Sequence, residues 1–445
     1  MHSSMPKVLQ RLGDRALVQH VIDTAQALAA RNTVVITGHG ADQVEAALAA
    51  QPGLRFVRQM PQLGTGHALQ QAAPVLPHDG ITVVLSGDVP LTQSDTLQSL
   101  IDATQGERLA LLTLEMPDPT GYGRIVRQAD GSVLAIMEHK DASDEQRRIR
   151  EIYSGIMAVP TRLLLPWLQR LRNDNAQQEY YLTDVVKFAV AEGHRVVAQV
   201  LNDPVQVAGV NTPVQLAELE RALQNRHAQA LMNQGVRLRD PARFDVRGAL
   251  TCERDVEIDV NCVFQGRVHL GEGVRIGANC VLSNVTVQAG AVLQPFTCIE
   301  GGAEGATVGP RATVGPFARL RPGAHLGAEV HVGNFVEIKN ATLADGAKAN
   351  HLAYLGDATV GERVNYGAGS ITANYDGANK HRTIIEADVH VGSNCVLVAP
   401  ITLGAGGTIG GGSTISKSTE PGALTVARGK QVSIPNWKRP TKRQG

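Results

Sequence analysis

Three groups of residues in this 445-residue chain have types and spacing suited to chemistry. The first centres on Asp88, which with Gly87 directly follows the β-branched run Ile81–Ser86. A carboxylate at the carboxyl end of a buried parallel strand points into the ligand crevice of an α/β sheet, where it can hold Mg2+ together with phosphate oxygens. An Asp-capped turn would look the same. Gln62-Leu-Gly-Thr-Gly-His67 is a glycine-containing turn entering a helix. Its backbone N–H groups could meet a base or phosphate; a plain helix start capped by Thr65 is the alternative. Lys7 follows a proline and can reach a phosphate as a point charge. The second group is ANYDGANKHRT at 373–383, where Asn374, Tyr375 and Lys380 crowd a short polar stretch. The third is His351, whose imidazole is of a type that exchanges protons near neutrality. A lone histidine in a repeat is otherwise a surface residue.

Two different frameworks must hold these groups. In the first half, short β-branched runs (Thr33–Thr37 and Ile81–Ser86) alternate with helix-like stretches at 41–50 and 66–75. Continuous apolar runs suit parallel strands buried on both faces, and the alternation predicts an α/β layer fold. The stretch 213–234 reads as one longer helix, opened by Pro213 and ended by Gly235. From about residue 250 the period becomes six, with an aliphatic residue before glycine at Leu270, Ile276, Val308, Val314, Leu326 and Val332. Positions 385, 391, 397, 403, 409 and 415 are all aliphatic without a slip. This is the signature of a parallel β-helix whose hexapeptides each make one flat side, aliphatic residue inward. Hexapeptide helices of this type are usually three-sided; a coil is then 18 residues, and Cys262, Cys280 and Cys298 should stack on one side, most simply as small core residues. The frame blurs across 285–306 and breaks at 373–383. A loop ejected from a solenoid is a natural binding place, or else a tolerated surface insertion.

Composition narrows the classes. Forty-two basic and 42 acidic residues cancel, so no net charge favours nucleic acid or an anionic membrane. No apolar stretch approaches the roughly 20 residues that span a bilayer, and no signal peptide is expected. Five cysteines form no CxxC pair, which fits a reduced cytoplasmic setting without a zinc site.

In order along the chain stand PKVL (6–9), QLGTGHA (62–68), GDVPL (87–91), DPTGYGRI (118–125), EHKDA (138–142), EYYLTD (179–184) and GVN (209–211). RDPARFD (239–245), GPFARLRPGA (315–324), HVGNFVEIK (331–339), NHLAYLGDA (350–358), TANYDGANK (372–380) and VGSN (391–394) continue the series. Together they resemble the bacterial bifunctional N-acetylglucosamine-1-phosphate uridylyltransferase / glucosamine-1-phosphate acetyltransferase family over nearly the whole chain. The resemblance implies an α/β nucleotidyltransferase (Rossmann-like) domain at 1–212, a linker helix at 213–235, and a left-handed parallel β-helix acetyltransferase domain with a C-terminal tail at 236–445. It implies UTP, glucosamine 1-phosphate, N-acetylglucosamine 1-phosphate and acetyl-CoA as substrates, Mg2+ as cofactor, and a cytoplasmic homotrimer with no nucleic-acid partner and no membrane insertion.

Residue by residue, the resemblance makes Asp88 and Asn211 the Mg2+ ligands. Gln59, Gln62, Gly64 and Thr65 hold the uridine part, and Lys7, Gly123 and Glu138 contact sugar and phosphate. Ser86, Gly87 and Tyr153 complete that pocket. In the second half His351 is the catalytic base, and Arg321 and Lys339 bind the sugar phosphate. Tyr354, Asn365, Asn374 and Lys380 line the sugar side; Ala368, Tyr375, Ser393, Gly411 and Arg428 line the CoA side. The basic end at 436–443 would lie against CoA phosphates or form a solvated tail. Four departures stand out. Ser86 replaces a tyrosine common in the family, Tyr153 an asparagine, and Gly411 an alanine. The family's first strand and its glycine-rich triphosphate loop have no counterpart, with Met1 where that loop's methionine would stand; the start of the first domain is therefore expected to be missing. An acetyltransferase whose first half is inactive, and a non-catalytic solenoid, are the competing readings.

Overall fold

The structure is a computed structural model of the chain in which residues 3–440 and 442 are described. Met1, on which the expectation of a missing start turns, lies outside the described residues. The chain divides into two compact units, one up to Leu223 and one from Gln224 on.

In the first unit, helix α1 (Leu17–Ala27) precedes strand β1 (Thr33–Thr37), helix α2 (Ala41–Leu48), strand β2 (Leu54–Arg58), helix α3 (Thr65–Ala72) and strand β3 (Ile81–Val84). Next come α4 (Ser94–Thr104), β4 (Leu109–Glu115), β5 (Arg124–Arg127), β6 (Val133–Met137) and β7 (Glu151–Pro160). The unit's later elements are α5 (Thr161–Arg170), α6 (Asp184–Ala191) and β8 (Val196–Val200), and helix α7 (Pro213–Asn233) begins in this unit and continues past Leu223. The ten-residue β7 organises a six-stranded sheet: β4 lies antiparallel along it, β3 pairs antiparallel with its last residues, and β8 extends the sheet parallel to β4. β5 and β6 form a hairpin at its start. Strand alternation sorts the core onto two faces. Leu109, Leu111, Met157 and Val159 pack with α3, α5 and α6, while Ala110, Leu112, Leu114 and Ile156 pack with α4. Each leucine, isoleucine, valine or methionine among them contributes about 1.5–3 kcal/mol by leaving water. β1 and β2 make a separate parallel pair. Among the described residues no strand pairs with the other edge of β1, and β3 pairs only with β7.

The second unit is a parallel β-helix. Up one of its faces, Thr313, His331, Lys348, Asn365, His390 and Thr408 are in register, so successive coils are 18, 17, 17, 25 and 18 residues long. The 25-residue coil carries the segment between the strands Ile371–Ala373 and Thr383–Ile385. The periodic residues Ile385, Val391, Leu397, Leu403, Ile409 and Ile415 are all buried, as are Ala312, Ala318 and Ala324 in the second inward position. One expectation shifts. Cys262 and Cys280 are fully buried, but Cys298 pairs with Val281 rather than Cys280 and is only half-buried. That coil is one residue short, so Thr297 takes the inward place and its hydroxyl donates to the Gln294 carbonyl at 2.8 Å. A one-residue slip reverses which side chains face the core.

At corners of this unit Phe296, Phe317, Phe335 and Leu352 hold φ of 62°, 56°, 57° and 50°. Bulky side chains rarely take this left-handed backbone. The three rings stack in a ladder with centroids 4.8 and 5.4 Å apart, and all four side chains are exposed. Among the described residues no helix is long and apolar enough to cross a membrane.

Candidate active sites

In the first unit the site forms where β3 ends. The Lys7 ammonium donates to Asp88 Oδ2 at 2.6 Å and to Asn211 Oδ1 at 2.8 Å. The Asp88 carbonyl accepts from the Val210 N–H at 3.0 Å, which ties the 209–211 turn to the strand end. Two hard oxygen donors thus converge on one cationic point. That donor set fits a divalent ion, which takes one or two protein oxygens and completes its shell with water and phosphate.

The residues expected on the uridine side gather at the turn into α3. Gln59 Nε2 donates to the Gly64 carbonyl at 2.9 Å, and Gln62 Nε2 to the Gln59 carbonyl at 3.2 Å. Gly64 has φ 103°, and a Cβ there would meet the Tyr180 carbonyl at 2.8 Å. Only glycine satisfies both the backbone angle and the close approach. Thr65 begins α3, but its hydroxyl accepts from the Leu182 N–H at 3.3 Å rather than capping its own helix. Farther along, Gly123 lies beside Glu138, whose carboxylate accepts from Thr183 Oγ1 at 2.9 Å. Burial raises the Glu138 pKa, and the carboxylates of Asp141, Asp184 and Glu179 add to the shift. The Tyr153 phenol is buried without a hydrogen-bond partner, and desolvation holds it well above its usual range. Ser86 lies against Gly155 of β7. Thr183 was not foreseen; it stands inside the quoted EYYLTD stretch.

In the second unit His351 is the register neighbour of Asn334 one coil earlier. His351 Nδ1 donates to Asn334 Oδ1 at 2.8 Å. Because an amide oxygen only accepts, this bond puts the proton on Nδ1 and leaves the Nε2 lone pair free as a base. A pocket of about 410 Å3 opens beside the ring, walled by Phe317, His331, Phe335 and Asn350.

A cationic cluster forms from the next strands. The ammonium of Lys380 beside Lys339 lowers the Lys339 pKa; Arg321 pushes the same way and Asp357 opposes it. Arg321 is paired with Glu337 at 2.8 Å. Like charges this close are costly unless an anion joins them, which suits a phosphate. Asp357, buried in the structure and not foreseen, accepts from both Asn340 and Asn374. It therefore fixes Asn374 and balances the lysines.

Tyr354 is half-buried on the adjoining strand. Asn365 lies one coil past Lys348 on the His351 face, and no hydrogen bond among the described residues joins it to His351. The residues expected on the CoA side lie in the last coils. The Ala368 carbonyl accepts from Asn394 N–H, the Ser393 carbonyl from Gly412 N–H, and the Gly411 carbonyl from Arg428 Nη1 at 2.9 Å. A Cβ at Gly411 would meet only ordinary contacts, so an alanine fits there. Tyr375 is exposed and bridges Lys380 across a tight turn, its hydroxyl donating to the Gly377 carbonyl at 2.6 Å. Asp376 staples that turn through the Asn379 and Ala378 N–H groups and His381, which hold its carboxyl well below the usual range. At the basic end, residues 436–440 and 442 are exposed, and residues 441 and 443 lie outside the described residues.

Residues 1–238 match the model of the MobA-like NTP transferase domain. The whole chain aligns with the bifunctional protein GlmU of Polaromonas naphthalenivorans (strain CJ2), 71% identical over 100% of this chain and 96% of that protein. This chain belongs to the GlmU family. GlmU of Acidovorax sp. (strain JS42) is 67% identical over 99% of this chain and 96% of its own length. GlmU of Cupriavidus metallidurans is 56% identical over the same shares. An NTP-transferase unit followed by a left-handed β-helix is the architecture shared with these GlmU relatives.

Proposed function

We propose that this chain makes UDP-N-acetylglucosamine in two steps. In the second unit acetyl passes from acetyl-CoA to the amine of glucosamine 1-phosphate. In the first unit N-acetylglucosamine 1-phosphate and UTP give UDP-N-acetylglucosamine and pyrophosphate. The observation that carries the reading is the His351–Asn334 bond beside an open pocket and a cationic cluster.

For acetyl transfer, Lys339, Lys380 and Arg321 take the sugar phosphate. His351 Nε2 removes the ammonium proton, and the amine nitrogen attacks the thioester carbonyl. The carbon–sulfur bond then breaks, and the second proton that the nitrogen sheds as the amide forms goes to the sulfur, which leaves as the thiol. Asn374, held by Asp357, is placed to orient the amine or the carbonyl. For uridylyl transfer, a phosphate oxygen of the sugar phosphate attacks the α-phosphorus, and the bond to pyrophosphate breaks. Lys7 offsets charge on the phosphates, while Gln59, Gln62, Gly64 and Thr65 seat the uridine and Glu138 and Gly123 the sugar. Asp88 and Asn211 would hold Mg2+, which when bound supplies positive charge beside the phosphates.

The assembly proposed is a cytoplasmic homotrimer. The exposed Phe296–Phe317–Phe335 ladder with Leu352 supports it, as an apolar surface next to the candidate base that a second copy would cover. Acetyl transfer alone is not favoured, because the family match runs through residues 1–238 as well. The test is to assay both reactions with the purified chain and with His351→Ala. Loss of acetyl transfer with uridylyl transfer intact is expected. Unchanged acetyl transfer removes His351 as the base, and no uridylyl transfer in the unsubstituted chain removes the two-step reading.

A further inference from the structure

Arg124 opens β5 and is fully buried, yet among the described residues its guanidinium is bonded to no carboxylate. Burial lowers its pKa, and the charge of Asp118 opposes that shift. A buried cation is costly unless its donors are met. Nη1 donates to the Tyr122 carbonyl, and Nη2 donates to His139 Nδ1 at 3.2 Å. Nε has no partner among the described residues. A guanidinium only donates, so this bond needs His139 neutral, with the ring proton on Nε2.

These contacts bracket the residues that face the sugar. Gly123 stands between Tyr122 and Arg124, and Glu138 directly precedes His139. The β5–β6 ladder ends at the pair Arg124–Met137, so Gly123 and Glu138 lie one step beyond the last backbone rung. The Glu138 carboxylate comes within 3.6 Å of where a Gly123 Cβ would stand, which puts these two on one face. By alternation Arg124 points to the other face, where it meets His139. The outer ends are also held: the Gly123 carbonyl accepts from the Tyr153 N–H at 2.9 Å, and the His139 carbonyl from Arg147 Nε at 3.4 Å.

We infer that Arg124 and His139 are positioning residues for uridylyl transfer. Their bond takes the place of a further backbone rung and sets the spacing of Gly123 and Glu138 on the opposite face. The inference rests on the proposed seating of the sugar by those two residues. Without an acceptor at 139, the buried guanidinium keeps a donor unmet. Arg124 must then shift toward water, and Gly123, its neighbour in the chain, shifts with it.

The test uses the full chain with His139→Leu, which removes the acceptor, and His139→Asn, whose amide oxygen stands near the place of Nδ1. A hydrogen bond to a charged group corresponds to about a 10-fold effect at the low end of its range. In His139→Leu the KM for N-acetylglucosamine 1-phosphate should therefore rise about 10-fold. Its kcat, its KM for UTP and its acetyl transfer should stay as in the parent, the pattern of lost uniform binding of one substrate. His139→Asn should bring the KM back. Nitrogen NMR of the His139 ring in the parent should show Nδ1 without a proton. An unchanged sugar-phosphate KM in His139→Leu overturns the inference and leaves the two-step function standing, because the parent still runs both reactions. A rise in both KM values together, or no rescue by His139→Asn, marks a merely structural residue and also overturns it. So does a protonated Nδ1. A parent that makes no UDP-N-acetylglucosamine removes the proposed function and this inference with it.

Discussion

Replacing Asn334 with alanine separates a positioning role from a structural one. Asn334 touches His351 Nδ1 at 2.8 Å, and its backbone lies in register with His351, so only the side-chain bond is removed. One hydrogen bond of this kind is worth about 0.5–1.5 kcal/mol net. If that energy holds the productive tautomer, kcat for acetyl transfer should fall about 2- to 13-fold, at about 1.36 kcal/mol per decade. KM should change little, because Asn334 bonds the base and no substrate group is assigned to it. Losing the base itself, in His351→Ala, should cost about 100- to 10,000-fold. Asn334→Asp keeps an acceptor on Nδ1 and adds a negative charge that favours imidazolium, so it should restore rate and move the acidic limb of the pH–rate profile upward. The assay is steady-state acetyl transfer with a pH profile, run beside uridylyl transfer on the same preparation. An Asn334→Ala variant with unchanged kcat, or one that loses both activities equally, refutes the reasoning.

Three further outcomes are expected. Asp88→Asn removes the carboxylate that pairs with Lys7 and should lower uridylyl transfer about 100- to 1,000-fold while sparing acetyl transfer, measured by release of pyrophosphate and of free thiol. Glu138 has its pKa raised chiefly by burial, so folding favours its neutral form: its contribution is fully present below the ordinary carboxylate range and is lost as pH rises through the raised pKa. Glu138→Gln should therefore be more stable than the parent at neutral pH, the gap closing in acid; urea unfolding across pH checks this, and a less stable variant at neutral pH would refute it. Phe335→Asp puts a charge into the aromatic ladder and should shift the assembly toward monomer by light scattering, with an unchanged mass counting against the proposed interface.

The β-helix was legible because its core repeats locally: the aliphatic residues from Ile385 to Ile415 are six apart and all buried. The strand before Asp88 and the turn before α3 were legible for the same reason, as short runs with one neighbour each. Asn334, Asp357 and Thr183 were not, although all three lie within stretches that carry the family resemblance. Each acts on a residue well removed in sequence: Asn334 on His351, Asp357 on Asn374, Thr183 on Glu138. Nothing in composition or period says which polar residue of one coil meets which of the next. The Cys298 position failed on the same point, since a coil of 17 in place of 18 puts Thr297 inward.

By itself the sequence determined the two frameworks and the residue types offered to chemistry, because hydrophobic period and turn residues act over a few positions. The tertiary structure decided the pairings. Coil length set which side chains stack between coils, and the ends of β3 and the 209–211 turn brought Lys7, Asp88 and Asn211 to one point.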